Sequence, residues 1–423
     1  MSGYSKGNDY QIDKLDLILD SGDRISLLDL FVNIRIHQDM LINPSMYCVI
    51  RVADSLDLYS SLPIKNNETL DLQFFSPDND RVELKMRLFS REDVMLADNG
   101  RTTYYDLKFV SVETVENTKI KDSRSYSGSL SDMAGSIWSK HFGESLPLNR
   151  EQTEGSYTLV LPFNNPFSHI QYLAKKSQRK TNPDDCNFFF FENFNGWNFV
   201  SAGNMLTQTA VRGYFSWEQE DPQRGTIEDG VDLFTSRFRI KEVDFVGREN
   251  FLDETVHGVY SGYMSNTDVK NKTTGGIKYG YKDAFGNSSH ANEYPLTSEN
   301  ISEEASILSN YSHNYSGIFS GDIKMKRKSQ VNALLSKRIK FLVSGSSSTN
   351  VGDKIKLEFM KQRGRVSSGD IIDKYRSGFY IVTSVKHNIE KGKGYTMTVE
   401  ACTDSYSQAV PKVSSFEAEG YPQ

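Results

Sequence analysis

Apolar and polar side chains alternate one by one through most of residues 25–115, and the same alternation returns between residues 339 and 401. Successive side chains on a pleated strand point to opposite faces, so this period of two specifies half-buried β-structure and excludes an all-helical chain. In the first stretch Leu30, Val32, Ile34 and Ile36 interleave with Phe31, Asn33 and Arg35, and Met46, Cys48, Ile50 and Val52 follow. Leu70, Leu72 and Phe74, then Val82, Leu84, Met86 and Leu88, then Tyr105, Leu107 and Phe109 bring the expected strands to at least five. Ser76 to Asp80 and Asp98-Asn99-Gly100 carry turn residues, so the strands they join are expected to be antiparallel. In the second stretch Ile339, Phe341 and Val343, then Ile355, Leu357 and Phe359, then Phe379, Ile381, Thr383 and Val385, then Tyr395, Met397, Val399 and Ala401 make four strands.

The period changes between the two stretches. Leu130, Met133, Ala134, Ile137, Trp138 and His141 recur at three and four positions, one stripe of a helix capped by Ser129 or Ser131. A second helix is expected at Pro166 behind Asn165, with Phe167, Ile170, Tyr172 and Leu173 as apolar positions, ending before Thr181-Asn182-Pro183. Phe188 to Phe191 and Trp197 to Ser201 then flank Asn193-Phe194-Asn195-Gly196, a hairpin with Asn-Gly at its bend. Rings on both faces of that hairpin must be covered on both, by the Pro166 helix and the rest of the domain or by another subunit. From Gly258 to Tyr315 the chain is polar with weak periodicity and reads as a long loop or insertion, and a short helix around Val331, Leu334 and Leu335 follows.

The expected fold is therefore mainly β with an α+β middle unit: two β-barrel-like tube domains joined by a mixed domain. The expected boundaries are 10–120 for the first β-barrel domain, 121–257 for the middle domain and 258–328 for the polar, loop-rich insertion. The second β-barrel domain follows at 329–403 and a tail at 404–423. A length of 423 residues is enough for about three compact units at roughly 150 residues each.

Charge and cysteine content narrow the function classes. There are 49 basic and 55 acidic residues, net −6, which argues against binding nucleic acid mainly by neutralising phosphates. Cys48, Cys186 and Cys402 lie far apart with no CxxC pair, which suits a reducing compartment rather than a disulfide framework or a thiolate zinc cluster. The opening residues MSGYSKGNDYQIDKLD lack a signal-peptide core, and no later run approaches the roughly 20 apolar residues of a membrane span.

Catalysis needs a nucleophile with a positioned base, or an acid and a base side by side. His37, His141, His169, His257, His290, His313 and His387 are scattered without the spacing that puts two imidazoles on one helical face. Asp78 and Asp80 lack the glycine and the bidentate glutamate of a calcium loop and read as a solvated hairpin turn. Glu218, Glu220 and Asp221 beside Trp217 resemble a carboxylate pair of the glycosidase kind, although an acidic turn before Pro222 explains them as well. Gly275-Gly276 does not follow a phosphate-cradling spacing, and Lys324 to Lys328 reads as a solvated helix entry. No catalytic, cofactor-binding or metal residue is assigned.

Three segments carry a family resemblance. Leu30 to Asp39, running on to Ile50-Arg51-Val52-Ala53-Asp54, Leu62-Pro63-Ile64 and Asn67-Glu68-Thr69-Leu70, resembles the opening barrel of the baseplate hub subunit of contractile-tailed bacteriophages. This family is related to the spike proteins of type VI secretion. Asn165-Pro166-Phe167 to Ala174 with Phe188 to Phe191 and Gly196-Trp197 is similar to the family's middle-domain helix and aromatic hairpin. Val351 to Ile355, Ser377 to Val382 and Tyr395 to Ala401 look like its second barrel.

The resemblance implies a structural virion protein without enzyme activity, a homotrimer whose two barrels per chain form a pseudo-sixfold ring. Such a ring connects the tail tube to the cell-puncturing spike, contacts other baseplate proteins and lets DNA pass through its lumen. It would sit in the tail baseplate of the virion, after assembly in the host cytoplasm, without inserting in a membrane. Two alternatives are a tail-associated cell-wall or polysaccharide hydrolase using Glu218, Glu220 or Asp221, and a carbohydrate-binding tail module with an exposed Trp197 on the aromatic hairpin.

Overall fold

The computed structural model describes residues 9–61, 67–76, 78, 80–97, 101–143, 146–216, 237–246, 251–268, 272–297, 307–311, 321–360 and 372–409. The first alternating stretch forms β1 (Gln11–Ile18), β2 (Arg24–Ser26), β3 (Phe31–Asp39), β4 (Tyr47–Asp54), β5 (Thr69–Phe75), β6 (Arg81–Ala97) and β7 (Thr102–Ser111). Their pairings are all antiparallel. The apolar member of each alternation points inward: Leu15, Ile34, Ile36, Cys48, Ile50, Leu72, Phe74, Leu107 and Phe109 share one core.

The middle of the chain contributes β8 (Asp122–Gly128), β9 (Asn149–Arg150), β10 (Tyr157–Asn164), β11 (Phe188–Asn193) and β12 (Gly196–Ser201). Both expected helices form, at Leu130–Phe142 and Pro166–Ala174. Ser129 Oγ accepts the Asp132 N–H at 3.1 Å and Asn165 Oδ1 accepts the Ser168 N–H at 2.9 Å, each satisfying a helix-end donor. Gly196, at φ 109°, makes the bend of the β11–β12 hairpin.

That hairpin is covered on both faces by its own chain, so no second subunit is needed to bury it. Phe188, Phe190, Trp197 and Phe199 pack on Trp138, Phe167, Ile170 and Leu173 of the two helices. Phe189, Phe191 and Val200 face the other way, into a core shared with Phe341, Ile355, Leu357, Ile381 and Val399. Each fully buried phenylalanine contributes about 2 kcal/mol of apolar transfer free energy, so this hairpin fastens the helices to the second β region.

Next come β13 (Arg212–Phe215), β14 (Glu242–Phe245), β15 (Ser261–Asp268), β16 (Thr273–Gly280), β17 (Tyr294–Pro295) and β18 (Ile307–Tyr311). The loop-rich expectation for 258–328 is corrected here: β16–β15–β18 is a three-stranded sheet. It packs on a helix at Gly321–Ser336, longer than the short turn expected near Val331. Tyr260, Tyr279 and Tyr281 fill its core with Val259, Met264, Met325 and Ala333. A count of aliphatic residues passes over such a core because tyrosine supplies most of the apolar volume.

The basic run on the helix is not solvated as a whole. Lys326 pairs with Asp184 at 2.8 Å and Asp322 at 2.7 Å. Arg327 is half-buried, and its Nη1 donates to the carbonyls of Ala174, Cys186 and Phe188 at 3.4, 3.2 and 2.9 Å. Burial lowers its pKa to about 10, which still leaves it charged at neutral pH.

The second alternating stretch forms β19 (Lys337–Ser344), β20 (Lys354–Glu358), β21 (Gly378–Glu390) and β22 (Gly394–Thr403), with β23 (Ser405–Tyr406) beside β17. Strand β21 pairs with β20 and β22, and its second half, Ser384–Glu390, pairs antiparallel with β3. The two β regions are therefore halves of one 13-stranded sheet, ordered β14-β19-β22-β21-β3-β4-β7-β6-β5-β1-β2, with β13 and β20 branching from β21.

The chain is mainly β with an α+β middle unit, as expected; its two β regions, each with its own core, are parts of one continuous, mainly antiparallel sheet whose strand path does not close into a barrel among the described residues. Alternation assigns a face to each side chain but says nothing of which strand lies next to it.

Replacing Arg327 with methionine keeps most of the aliphatic volume and removes the donor that three carbonyls share. The expected loss of unfolding free energy is about 2–4 kcal/mol, read from denaturant titration. Unchanged stability would show that those carbonyls find other donors.

Candidate functional site

The face of the large sheet turned away from its cores is an organised surface among the described residues. Successive cross-strand rows run over the boundary between the two β regions without a break. Thr396, Asn388, Arg35, Val49 and Lys108 stand side by side, and Glu390, Asn33, Arg51, Asp106 and Glu92 form the next such row. The row between them points inward, with Ile389, Ile34, Ile50 and Leu107 all buried. Asp106 binds Arg35 at 2.8 Å and Arg51 at 2.7 Å, and Glu92 binds Lys108. The result is a polar face of mixed sign whose cations are largely paired within it.

Beneath this face, a buried polar network locks β3 to β21. Gln38 Nε2 donates to Asn350 Oδ1 at 3.2 Å and approaches His387 Nε2 at 3.3 Å, while Gln38 Oε1 accepts the Val351 N–H at 3.2 Å. Since the Gln38 amide can only donate from nitrogen, His387 Nε2 accepts and its Nδ1–H donates to Tyr395 OH, 2.7 Å away. Burial pushes the His387 pKa down to about 3, so the ring is neutral and its tautomer is set by these partners. Phe194 of the aromatic hairpin stacks on it at 4.7 Å.

Among the described residues the sheet is open at its ends. At one end β14 leaves Val243 and Phe245 exposed, and Val246 just beyond it is exposed too. Beyond Arg87, β6 outruns its partner β5 and continues as an arm with β7, exposing Phe89, Val94, Met95 and Leu96. Exposed strand edges of this kind invite pairing with another chain.

Residues singled out in the sequence are placed as follows. Trp197 is buried against Phe190, 5.1 Å away, and Trp138, so it is not the exposed sugar platform that a carbohydrate-binding module on this hairpin requires. Glu218, Glu220, Asp221 and His313 lie outside the described residues. Asp78 is not a solvated turn residue: it pairs with Arg212 at 3.2 Å and with Arg237, and accepts from Ser346 and Ser348. These contacts bolt the β5–β6 turn onto the second β region and, against burial, hold the Asp78 carboxyl below its ordinary range.

Folding also creates a constellation that sequence spacing hides. Ser288 Oγ lies 3.1 Å from His290 Nε2, and His290 Nδ1 lies 2.7 Å from Asp404 Oδ2, the order of a nucleophile, base and orienting acid. Its surroundings make it a latch instead. Phe285 stacks on the imidazole at 3.7 Å, and the flanking N–H groups of Ser289 and Ala291 are spent on Asp185 and Asp404, so neither serves an oxyanion. Cavities of about 480 Å³ beside the Leu130–Phe142 helix and about 350 Å³ between β12 and Val351–Asp353 are lined by neither histidine nor cysteine.

No protein-family model matches this sequence, and no curated protein matches it. Solved structures do. A tail protein from Neisseria meningitidis MC58 superposes with TM-score 0.56 at 10% identity, over 94% of this chain and 97% of its own. The 43 kDa tail protein of prophage MuSo2 from Shewanella oneidensis superposes with TM-score 0.55 at 9% identity, over 93% of this chain and 99% of its own. A type VI secretion system component from E. coli aligns at TM-score 0.47 and 9% identity, over 96% of this chain and 79% of its own. The two tail-protein superpositions span nearly the whole chain and show a shared fold.

One buried acid offers a pH test of how the hairpin is seated on the first β region. Glu192 accepts the Met46 N–H at 2.8 Å and the Ser111 hydroxyl, and burial raises its pKa to about 8. A carboxyl whose folded pKa exceeds its unfolded value of about 4.5 binds its proton more tightly in the folded chain, so stability falls as pH rises between the two values. Unfolding free energy measured from pH 5 to pH 8 is expected to decline, and Glu192→Gln is expected to flatten that decline.

Proposed function

We propose that this chain is the structural hub of a phage-type tail baseplate. In this reading three copies close into a ring in which two β regions per chain imitate sixfold symmetry. The tail tube stacks on one side, the cell-puncturing spike docks on the other, and DNA passes through the middle. The observation that carries it is the pairing of β3 with β21, which sets two β regions, each with its own core, side by side under one uninterrupted polar face.

Three further features support the reading. The fold is that of solved tail proteins along almost the full chain. The mixed-sign face, with Asp106 between Arg35 and Arg51, suits a conduit wall that neither grips nor strongly repels a polyanion. The sheet ends, open among the described residues, are natural contacts for neighbouring copies in a closed ring. A catalytic role draws no support from the constellations described above, so the hub is read as a structural virion component that works with tube, spike and other baseplate proteins.

Light scattering of the purified full chain is expected to give three times the 48.0 kDa chain mass, with rings visible by negative-stain electron microscopy. A monomer at high protein concentration with no rings would count decisively against the hub. Retention of duplex DNA at physiological salt would contradict a non-gripping lumen.

A further inference from the structure

Cations collect where the Pro166–Ala174 helix ends. Arg327 donates to the Ala174 carbonyl at 3.4 Å, which sets the Gly321–Ser336 helix against that end. Lys175 and Lys176 follow Ala174 directly, while Lys324 and Lys328 lie four apart on the second helix, on the face that Arg327 shares. Lys176 is half-buried, with its ammonium 5.9 Å from the centre of the exposed Tyr172 ring. Burial, and after it the charge of Lys324, push the Lys176 pKa below its ordinary value.

A helix C-terminus attracts cations, but its dipole amounts to about half a unit of negative charge, against five cations here. Asp184 and Asp322, the acids beside the second helix, are both drawn to Lys326, at 2.8 and 2.7 Å. Lys326 lies two positions from Lys324 and so on the opposite side of the helix. Among the described residues Lys175 and Lys324 are exposed and form no ion pair. The chain as a whole carries a net charge of −6, so this concentration of positive charge runs against its average.

We propose that the end of the Pro166–Ala174 helix is a docking surface for a short acidic segment of a partner protein. Charge complementarity selects the occupant. Lysine ammonium groups are compact point charges that pair with single carboxylates, whereas the one guanidinium of the cluster, the fork suited to phosphate, is committed to three carbonyls. A long polyanion such as duplex DNA would run beyond the cluster onto a chain of net charge −6, and a short segment need not. The Tyr172 ring and the lysine stems offer an apolar shelf for a side chain between the acids. Exposed ion pairs are individually weak, so affinity rests on several made together and falls with salt.

The test uses the full chain and a fluorescein-labelled peptide of about ten residues, rich in glutamate with one tyrosine, followed by fluorescence polarisation. Binding is expected at about 50 mM salt and release at about 500 mM, as screening grows. Lys175→Glu with Lys324→Glu is expected to weaken binding by about 10-fold or more. The same two charge reversals at exposed positions elsewhere, Lys85→Glu with Lys386→Glu, are expected to leave it unchanged. Acetylation of surface amines in the native chain needs no variant: by mass spectrometry the peptide is expected to shield Lys175 and Lys324 and not Lys386. No binding at low salt, equal loss in both double variants, or no shielding of Lys175 and Lys324 overturns the proposal. So does tighter binding of duplex DNA through the same lysines, which would assign the cluster to nucleic acid.

Discussion

Seven opposed residue pairs between β3 and β21, from Ser384 and Asp39 to Glu390 and Asn33, hold the two β regions in one sheet. These strands lie almost 350 positions apart in sequence, as the 347 positions between His37 and Ser384 illustrate. Closing so long a loop carries an entropic cost that local contacts do not repay, so the join must be favoured by what it buries. Two arrangements do this. Ile389 and Tyr395 leave the core of the second region and enter that of the first, and the Gln38–His387–Tyr395 network satisfies its buried polar atoms beneath the seam. The continuous polar face, and with it the reading as the wall of a conduit, follows from this seam.

The aromatic hairpin serves the seam from behind. Because β11 and β12 carry rings on both faces, they act as a plate with the helices on one side and the second β core on the other. Phe194 at its tip reaches His387, while Glu192 takes the Met46 N–H, so one hairpin touches the seam and both β regions. Asp78, Arg327 and Asp404 are further bolts between segments distant in sequence, buried in the case of Asp404 and half-buried in the other two, each with several hydrogen-bond partners, the condition under which charge withdrawn from water is tolerated.

Local features of the fold were legible in the chain. Ser129 and Asn165 stand at the helix starts they were expected to cap, Pro166 occupies the first turn, and Asn195-Gly196 makes the hairpin bend. Each of these signals acts over four residues or fewer, where backbone geometry alone determines the outcome. The polar segment from Gly258 onward was less legible because its core is built from tyrosines. The gathering of Lys175, Lys176 and Lys324 was hidden because they come from separate segments whose packing no spacing rule encodes.

By itself the sequence determined the alternation that makes strands, the face each side chain takes, the caps and bends, and the want of a motif for catalysis. These are short-range properties, set by a period of two or 3.6 and by the backbone preferences of a few residues. Tertiary structure alone decided that the two β regions share a seam, that the hairpin is sealed within one chain, and that Arg327 is a half-buried clamp on three carbonyls rather than a solvated charge. Those outcomes depend on which distant surfaces bury one another, and a pattern that specifies a buried face does not name the surface that covers it.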